Sequence, residues 1–293
     1  MGVDTMAEIA AATVVKLRKM SGQGMMDCKK ALAEAHGDMD KAMEILRKKG
    51  LATLAKRAER ETSEGAVVSW QNAGGNEAAL ATLCCETDFV AKSDDFLHLA
   101  RDIRDYIGSA AGDQGADSVL QTILAGKTFQ EVLTEVVSRT GEKMQVGDYV
   151  KFRIEGTGLI GTYVHFNHKV GSMVLIGTSD AKVAQAPSLK QAASDIAMHI
   201  TASKPLALDV ASLDPEVIAR EREIYAAQVQ NKPPEVVNRI VEGKMKKFYS
   251  DYCLLEQPFV KDDSKTVQQV LAEAAKQAGG QASVRQFVRF EVG

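Results

Sequence analysis

Histidine and cysteine side chains are the residues through which this chain could bind a metal or act as a nucleophile. His165 and His168 form a close pair, which in a strand and turn could hold a metal ion. No third ligand follows at a diagnostic spacing, so we favour a solvated turn. The four cysteines form no C-x-x-C pair, and adjacent Cys84 and Cys85 are expected on opposite faces of a strand. We therefore predict no metal, no cofactor and a reduced compartment.

Motifs of common catalytic sites are missing as well. The sequence contains no G-x-x-x-x-G-K-[ST] loop, no G-x-S-x-G elbow and no H-E-x-x-H helix. The net charge of −3 over 293 residues argues against nucleic acid as a direct partner. No apolar run approaches the roughly 18 residues that a membrane span needs. We expect a cytoplasmic binding protein without enzymatic activity and without a membrane partner.

Residues 87–96 read TDFVAKSDDF and put a carboxylate, Asp88, beside an aromatic ring, Phe89, just ahead of a helix. An isolated phenylalanine usually fills a core. A later copy of the same pattern, however, has Ala181 after Asp180, so the loop does not need a large ring to keep its shape. Either a local helix covers Phe89 or a second protein does, and we favour the second protein.

Three short helices and a linker account for residues 1–60. Apolar residues at helical spacing define the helices, and Gly50 is expected to close the third. Met25 and Met26 begin the second helix, where we expect Met25 to be buried and Met26 to face outward. Residues 1–5 look like an extension before a natural start at Met6. The small core and the G-x-G-M-M loop resemble a ubiquitin-associated domain.

An internal repeat organises the following residues. Gly65, a strand, a turn and a strand lead to Asp88 and a helix, and the same order recurs from Gly158 to Asp180 and a second helix. A capping box at Thr128 starts a further amphipathic helix. We predict two related α+β subdomains, each an antiparallel sheet backed by helices. The last strand, 284–292, is expected to alternate with Val284, Val288 and Phe290 on one face.

Two sparsely apolar helices joined by a turn at residues 231–234 predict an inserted antiparallel hairpin. The complete prediction is an α+β chain with a helical module over 1–60 and a first core subdomain over 61–147. The second core subdomain comprises 148–208 and 252–293, and the hairpin comprises 209–251.

Several motifs in register resemble elongation factor Ts. They are the segment 24–32 (GMMDCKKAL), the segment 87–92 (TDFVAK), the segments 196–200 (IAMHI) and 203–205 (SKP), and the segment 257–260 (QPFV). The similarity extends from Met6 to Gly293. Many sequences of that family continue past this point into a C-terminal helical module, which we expect this chain to lack.

This resemblance implies a guanine nucleotide exchange factor whose partner is elongation factor Tu. It implies that Met25 and Met26 dock on the GTPase domain, and that Asp88 and Phe89, with Val90 beside them, act near the partner's Mg²⁺ site. It also implies that His165 contacts a β domain of the partner and that the helical hairpin is a dimerisation element. An alternative hypothesis is a ubiquitin-like binding module on an unrelated α+β scaffold, binding through the two methionines alone.

Overall fold

The computed structural model describes residues 9–229 and 233–293. The predicted extension 1–5 and part of the predicted turn 231–234 lie outside these residues. The helices are α1 Ala11–Ser21, α2 Met25–Glu34, α3 Met39–Lys56, α4 Asp88–Ala91, α5 Asp94–Ser109, α6 Ala116–Leu120, α7 Phe129–Thr140, α8 Ala181–Gln185, α9 Pro187–Ser203, α10 Pro215–Ala227, α11 Pro234–Tyr252 and α12 Val267–Gln277. The strands are β1 Glu64–Gln71, β2 Glu77–Cys85, β3 Ile123–Leu124, β4 Lys127–Thr128, β5 Met144–Arg153, β6 Gly158–Val164, β7 Val170–Thr178, β8 Pro258–Phe259, β9 Asp262–Thr266 and β10 Ala282–Glu291.

The chain divides into two compact units. The first contains the residues up to Trp70, Ala81–Lys151 and Val292–Gly293, and the second contains Gln71–Leu80 and Phe152–Glu291. Helices combined with antiparallel strand pairs agree with the predicted α+β class. The finer division into four parts stays a prediction.

Helices α1, α2 and α3 pack around a small apolar cluster that includes Val14, Leu17, Cys28 and Leu32. Gly22 ends α1 in the left-handed conformation, with φ of 68°. The prediction that Gly50 closes the third helix is wrong, because α3 continues to Lys56. A Cβ at Gly50 would lie 2.7 Å from the Thr134 carbonyl oxygen, so this glycine lets α3 approach α7 closely.

Strands β1, β2 and β5 form a three-stranded sheet in the order β1-β2-β5. Helices α5 and α7 carry buried apolar side chains of the first unit. Phe96, Leu99 and Ile103 lie at helical spacing on α5 and are all buried. The predicted capping box of α7 is confirmed: Thr128 and Glu131 each accept the other's backbone N–H. Helix α5 packs against both α7 and α4.

The order of the elements agrees with the predicted internal repeat, and the relation between the two subdomains stays a prediction. Gly65 is the second residue of β1 and lies beside the Leu83 carbonyl, and Gly158 begins β6 beside the Ile176 carbonyl, at distances that leave no room for a Cβ. Each second strand then leads to a short helix and a longer one, α4 and α5 in the first copy and α8 and α9 in the second.

The helix caps correct the residue correspondence between the copies. Thr87 caps α4 by accepting from Val90 N, and Asp180 caps α8 by accepting from Val183 N. Thr87, not Asp88, therefore matches Asp180. Phe89 consequently corresponds to Lys182, which is exposed, and not to Ala181 as the sequence pattern predicted.

The second sheet has the order β10-β7-β6, with antiparallel pairing throughout. Its core includes Val174, Ile176, Ile196 and Leu271, so α9 and α12 cover one face. A bulge between Val284 and Gln286 interrupts the pairing of β10 with β7. The predicted alternation along the last strand is therefore wrong beyond Val284, because the bulge turns Phe287 toward the core in place of Val288.

Residues 156–161 have the spacing G-x-G-x-x-G, which in another context marks a phosphate-binding turn. Here the second glycine begins β6 and the third lies within it. That motif binds phosphate only where a strand leads through the glycines into a helix. The stretch is therefore part of a β-hairpin and not a nucleotide-binding loop.

Helices α10 and α11 belong to the second unit, and their apolar cluster includes Ile218, Tyr225, Val241, Met245 and Phe248. Arg222 Nη1 donates to Glu242 Oε1 over 2.6 Å, which pairs the middle of α10 with the middle of α11. The predicted pair of sparsely apolar helices is thus present in the described residues on either side of 230–232.

Candidate functional site

Phe89 lies on α4 with 83% of its surface exposed. Two caps hold the backbone around it: Val90 N donates to Thr87 Oγ1 over 3.3 Å, and Phe96 N donates to Ser93 Oγ over 3.3 Å. Ser93 Oγ also donates to the Val90 carbonyl over 2.7 Å. The ring is therefore exposed on a backbone that is fixed at both ends.

Glu86 precedes Thr87, the residue that caps α4, and is held in place by hydrogen bonds. Its side chain is 10% exposed, and it accepts from Arg57 Nη1 over 2.7 Å and from the Lys143 amide over 2.6 Å. Partial burial tends to raise the pKa of Glu86, but the Lys143 amide and the Arg57 guanidinium outweigh burial and lower the pKa. Thr87 Oγ1 adds a hydrogen bond to Glu142 Oε1 over 3.0 Å.

Asp88 and Val90 flank Phe89 and are both half-buried. Asp88 Oδ2 accepts from Lys92 Nζ over 2.7 Å. This hydrogen bond is the largest cause of the lowered pKa of Asp88, and it raises the pKa of Lys92 in turn. The exposed ring thus stands beside a carboxylate that is ionised at neutral pH.

Met25 and Met26 begin α2 and are 40% and 63% exposed. The prediction that Met25 is buried is wrong. The buried residue at the start of α2 is Gln23, in the loop before the helix, and its carbonyl accepts from Cys28 Sγ over 3.7 Å. Both methionine side chains are therefore available to a partner, in the same compact unit as Phe89.

His165 lies in the turn between β6 and β7, in the second unit, and is half-buried. Its Nδ1 is 2.9 Å from Asn167 Oδ1, and the backbone closes the turn through His168 N donating to the His165 carbonyl over 2.8 Å. The adjacent Phe166 is 85% exposed, and its ring centroid is 4.3 Å from that of His165.

Phe166 is the exposed aromatic that the sequence interpretation missed. The available signal was an aromatic residue within an otherwise polar turn, His165 to Lys169, where no strand alternation requires one. A ring exposed in a turn stabilises no core, so it belongs among the candidate contacts.

His199 is buried on α9, as a histidine packed near the sheet. Val260 N donates to its Nδ1 over 3.2 Å, which makes Nε2 the protonated nitrogen and the donor to Gln257 Oε1 at 2.9 Å. Burial lowers the pKa of His199, and the hydrogen bond with Gln257 opposes burial only in part. This histidine joins α9 to the segment around β8 and is not accessible to a partner.

Within residues 9–229 and 233–293, no group of three or more His, Cys, Asp or Glu side chains could hold a metal ion. No helix in the same ranges is long and apolar enough to cross a membrane. All four cysteines lie in the described ranges and form no disulfide there.

The geometry is that of a protein that exposes apolar side chains on capped, hydrogen-bonded elements, as a binding surface does. A family model described as "Elongation factor TS" matches residues 86–293. Elongation factor Ts of a Nitratiruptor species is 42% identical over 287 residues, covering 97% of this chain and 93% of that protein. Elongation factor Ts of Desulfovibrio desulfuricans is 39% identical over 290 residues, covering 98% and 99%.

The chain belongs to the elongation factor Ts family, and thus to the factors of translation elongation. The alternative of a binding module on an unrelated scaffold is wrong, because the family match lies on the α+β part of the chain, outside the three helices. The likeness of those helices to a ubiquitin-associated domain stays a prediction.

Proposed function

We propose that this chain is a guanine nucleotide exchange factor that binds elongation factor Tu and promotes release of GDP. The observation that carries the proposal is the exposure of Phe89, 83%, on α4, whose start is capped by Thr87 and which is followed at once by the Ser93 cap of α5. The factor would act without a cofactor and without chemistry of its own. Cytoplasmic residence, expected from the sequence, is part of the proposal.

A GTPase holds GDP through backbone amides, a lysine and Mg²⁺. By linkage, a factor that binds the empty GTPase more tightly than the loaded one weakens nucleotide affinity by the same ratio. A phenylalanine ring suits this task, since it has few rotamers to lose on insertion. Asp88 would arrive beside the ring as a carboxylate, where it can disturb the groups around Mg²⁺. Lys92 would stabilise that charge until contact is made.

Four further side chains support binding in this proposal. Met25 and Met26 are flexible and apolar, which suits an adaptable docking surface on the GTPase domain. His165 would contact a β domain of the partner, and its neighbour Phe166, whose ring lies against that of His165, would add apolar area to that contact. The suggestion that α10 and α11 mediate a dimer stays a prediction.

The test is the release of a fluorescent GDP analogue from elongation factor Tu with and without the chain. The wild-type chain should accelerate release markedly. Phe89→Ala should lose most of this acceleration, because truncation of an interface anchor typically costs about 2–4 kcal/mol. Ile123→Ala is the matched control, since Ile123 is also largely exposed in the first unit.

An unchanged release rate for Phe89→Ala would contradict the role of the ring but not the exchange function. Absence of acceleration by the wild-type chain would contradict the function itself. Circular dichroism of each variant should confirm that it is folded before its rate is interpreted.

A further inference from the structure

Both surfaces proposed to contact the GTPase domain lie in the first compact unit, but on different elements. Met26 is on α2, and Phe89 is on α4. A factor that contacts its partner through two surfaces binds more tightly when those surfaces are already held at the right separation. Less conformational entropy is then lost on binding. The elements that join α2 to α4 therefore bear on the proposed function, on which this inference rests.

The C-terminal end of α7 contacts the segments that carry both surfaces. Arg139 Nε donates to Asp95 Oδ1 over 2.9 Å, at the start of α5. The same side chain lies against Gly22, where an added Cβ would be 2.5 Å from Arg139 Cδ. Gly22 is in the loop that leads to Met25 and Met26, and α5 begins directly after the α4 segment.

The residues that follow Arg139 extend these contacts. Glu142 accepts from Thr87 Oγ1 over 3.0 Å, and the Lys143 amide donates to Glu86 over 2.6 Å. Lys143 Nζ also donates to the Ala58 and Arg60 carbonyls, over 2.7 and 2.9 Å, just beyond α3. Residues 139–143 thus form hydrogen bonds both with the residues around α4 and with the residues just after α3.

Packing between α3 and α7 makes this connection firm. Ser138 Oγ donates to the Leu46 carbonyl over 3.3 Å, Arg47 pairs with Glu131, and Gly50 lies directly on the α7 backbone. With α3 held on α7, rotation of the three helices about the linker is opposed at several points. Arg139 is the side chain that touches the loop before Met25 and the start of α5 at once.

We propose that Arg139 is a positioning residue for nucleotide exchange. It fixes the two methionines of α2 relative to Phe89, so that docking of the methionines delivers the ring to its target. Arg139 itself need not touch the GTPase, because its guanidinium is engaged by Asp95 and packed on Gly22.

The experiment measures GDP release from elongation factor Tu over a range of factor concentrations. For Arg139→Ala, the concentration that gives half-maximal release should rise about fivefold. This is the change in binding free energy expected when about one more side chain must be ordered on binding. The rate at saturation should stay within about twofold of wild type, because the ring is still present. Arg139→Lys, which keeps a cation for Asp95, should recover most of the loss. Arg104→Ala, an exposed arginine on α5, is the control.

A double-mutant cycle separates positioning from a general structural effect. In the Phe89→Ala background there is no ring to position, so Arg139→Ala should change the half-maximal concentration by less than about twofold. Equal losses in both backgrounds, or no loss with Phe89 present, would overturn the inference. Asp95→Asn, which breaks the same ion pair with little change of shape, repeats the test if Arg139→Ala does not fold. Failure of the wild-type chain to release GDP would instead count against the proposed function.

Discussion

At the scale of single residues, the comparison between Phe89 and Lys182 is the most informative. Each is the second residue of a short helix that follows the last strand of its repeat, and each is exposed. Lysine at such a position is what solvent exposure alone favours. A phenylalanine there contributes little to folding, so its presence calls for a partner that covers it.

Replacing Phe89 by the residue of the other copy tests this reasoning directly. Phe89→Lys should leave the free energy of unfolding within about 0.5 kcal/mol of wild type, as for a typical surface change. Phe96→Ala, at a buried phenylalanine seven positions on, should lose about 3–5 kcal/mol. Urea denaturation of both variants measures the difference. A loss for Phe89→Lys comparable to that of Phe96→Ala would mean that the ring stabilises its own subdomain.

The sequence predicted residue environments well where a local pattern determines them. The capping box at Thr128 follows from neighbours only a few residues away. The exposure of Met25 did not follow, because it depends on how the loop around Gln23 folds over the helix start. Candidate contacts could therefore be chosen from motifs, but their burial required the structure.

At the scale of elements, glycines decide where helices can pack closely. Gly50 in α3 should not tolerate alanine, since the new Cβ would meet the Thr134 carbonyl at 2.7 Å and Ser138 Cβ at 2.9 Å. Overpacking of this kind costs about 1–3 kcal/mol. The better helix propensity of alanine returns at most about 1 kcal/mol. We expect a net loss of about 1–2 kcal/mol in denaturant unfolding.

Gly243 in α11 is the matched control, because it is a helical glycine with nothing within 4 Å of an added Cβ. Gly243→Ala should gain about 0.5–1 kcal/mol from helix propensity alone. If both substitutions stabilise the chain, α3 and α7 are not in close contact in solution. The comparison of Gly50 with Gly243 also explains why the end of α3 was predicted too early. A glycine ends a helix only where no packing contact stabilises the helix beyond it.

The strand errors have a similar cause. A bulge adds one residue between Val284 and Gln286 and exchanges the two faces of β10 beyond that point. Alternation in sequence cannot reveal such an insertion, because Phe287 and Val288 are both apolar and either could face the core. The pairing partner β7 determines the outcome, and it lies about a hundred residues away in the chain.

For the whole molecule, the repeat made the architecture predictable. Two glycines, each followed by two strands and a helix in the sequence pattern, predicted two of the three strands in each sheet. What the repeat could not predict is how the chain is shared between units. Residues 71–80 belong to the second unit although they comprise the end of β1, the turn and the first part of β2 in the first sheet.

At the scale of the whole molecule, the free energy of unfolding should also decrease in acid, over two separate ranges of pH. Burial lowers the pKa of His199 from its ordinary 6.5, so below pH 6.5 the unfolded chain binds a proton that the native chain does not. Stability should therefore fall as pH drops below 6.5, by at most about 1.4 kcal/mol per pH unit, until the native pKa of His199 is reached. Glu86 and the other carboxyls with lowered pKa add the second step, which begins near their ordinary values of 3.8 to 4.5.

Urea denaturation between pH 7.5 and 3.5 measures both steps. His199→Gln keeps an acceptor for Val260 N and a donor for Gln257 but cannot titrate, so this variant should lack the step below pH 6.5 and keep the one below 4.5. Glu86→Gln should instead reduce the lower step, because its uncharged side chain no longer loses a charge that Arg57 stabilises. A wild-type chain whose stability is constant from pH 7.5 to 5 would show that His199 is not held neutral by burial. The junction between α9 and the segment around β8 would then have to be stabilised by Gln257 and the backbone alone.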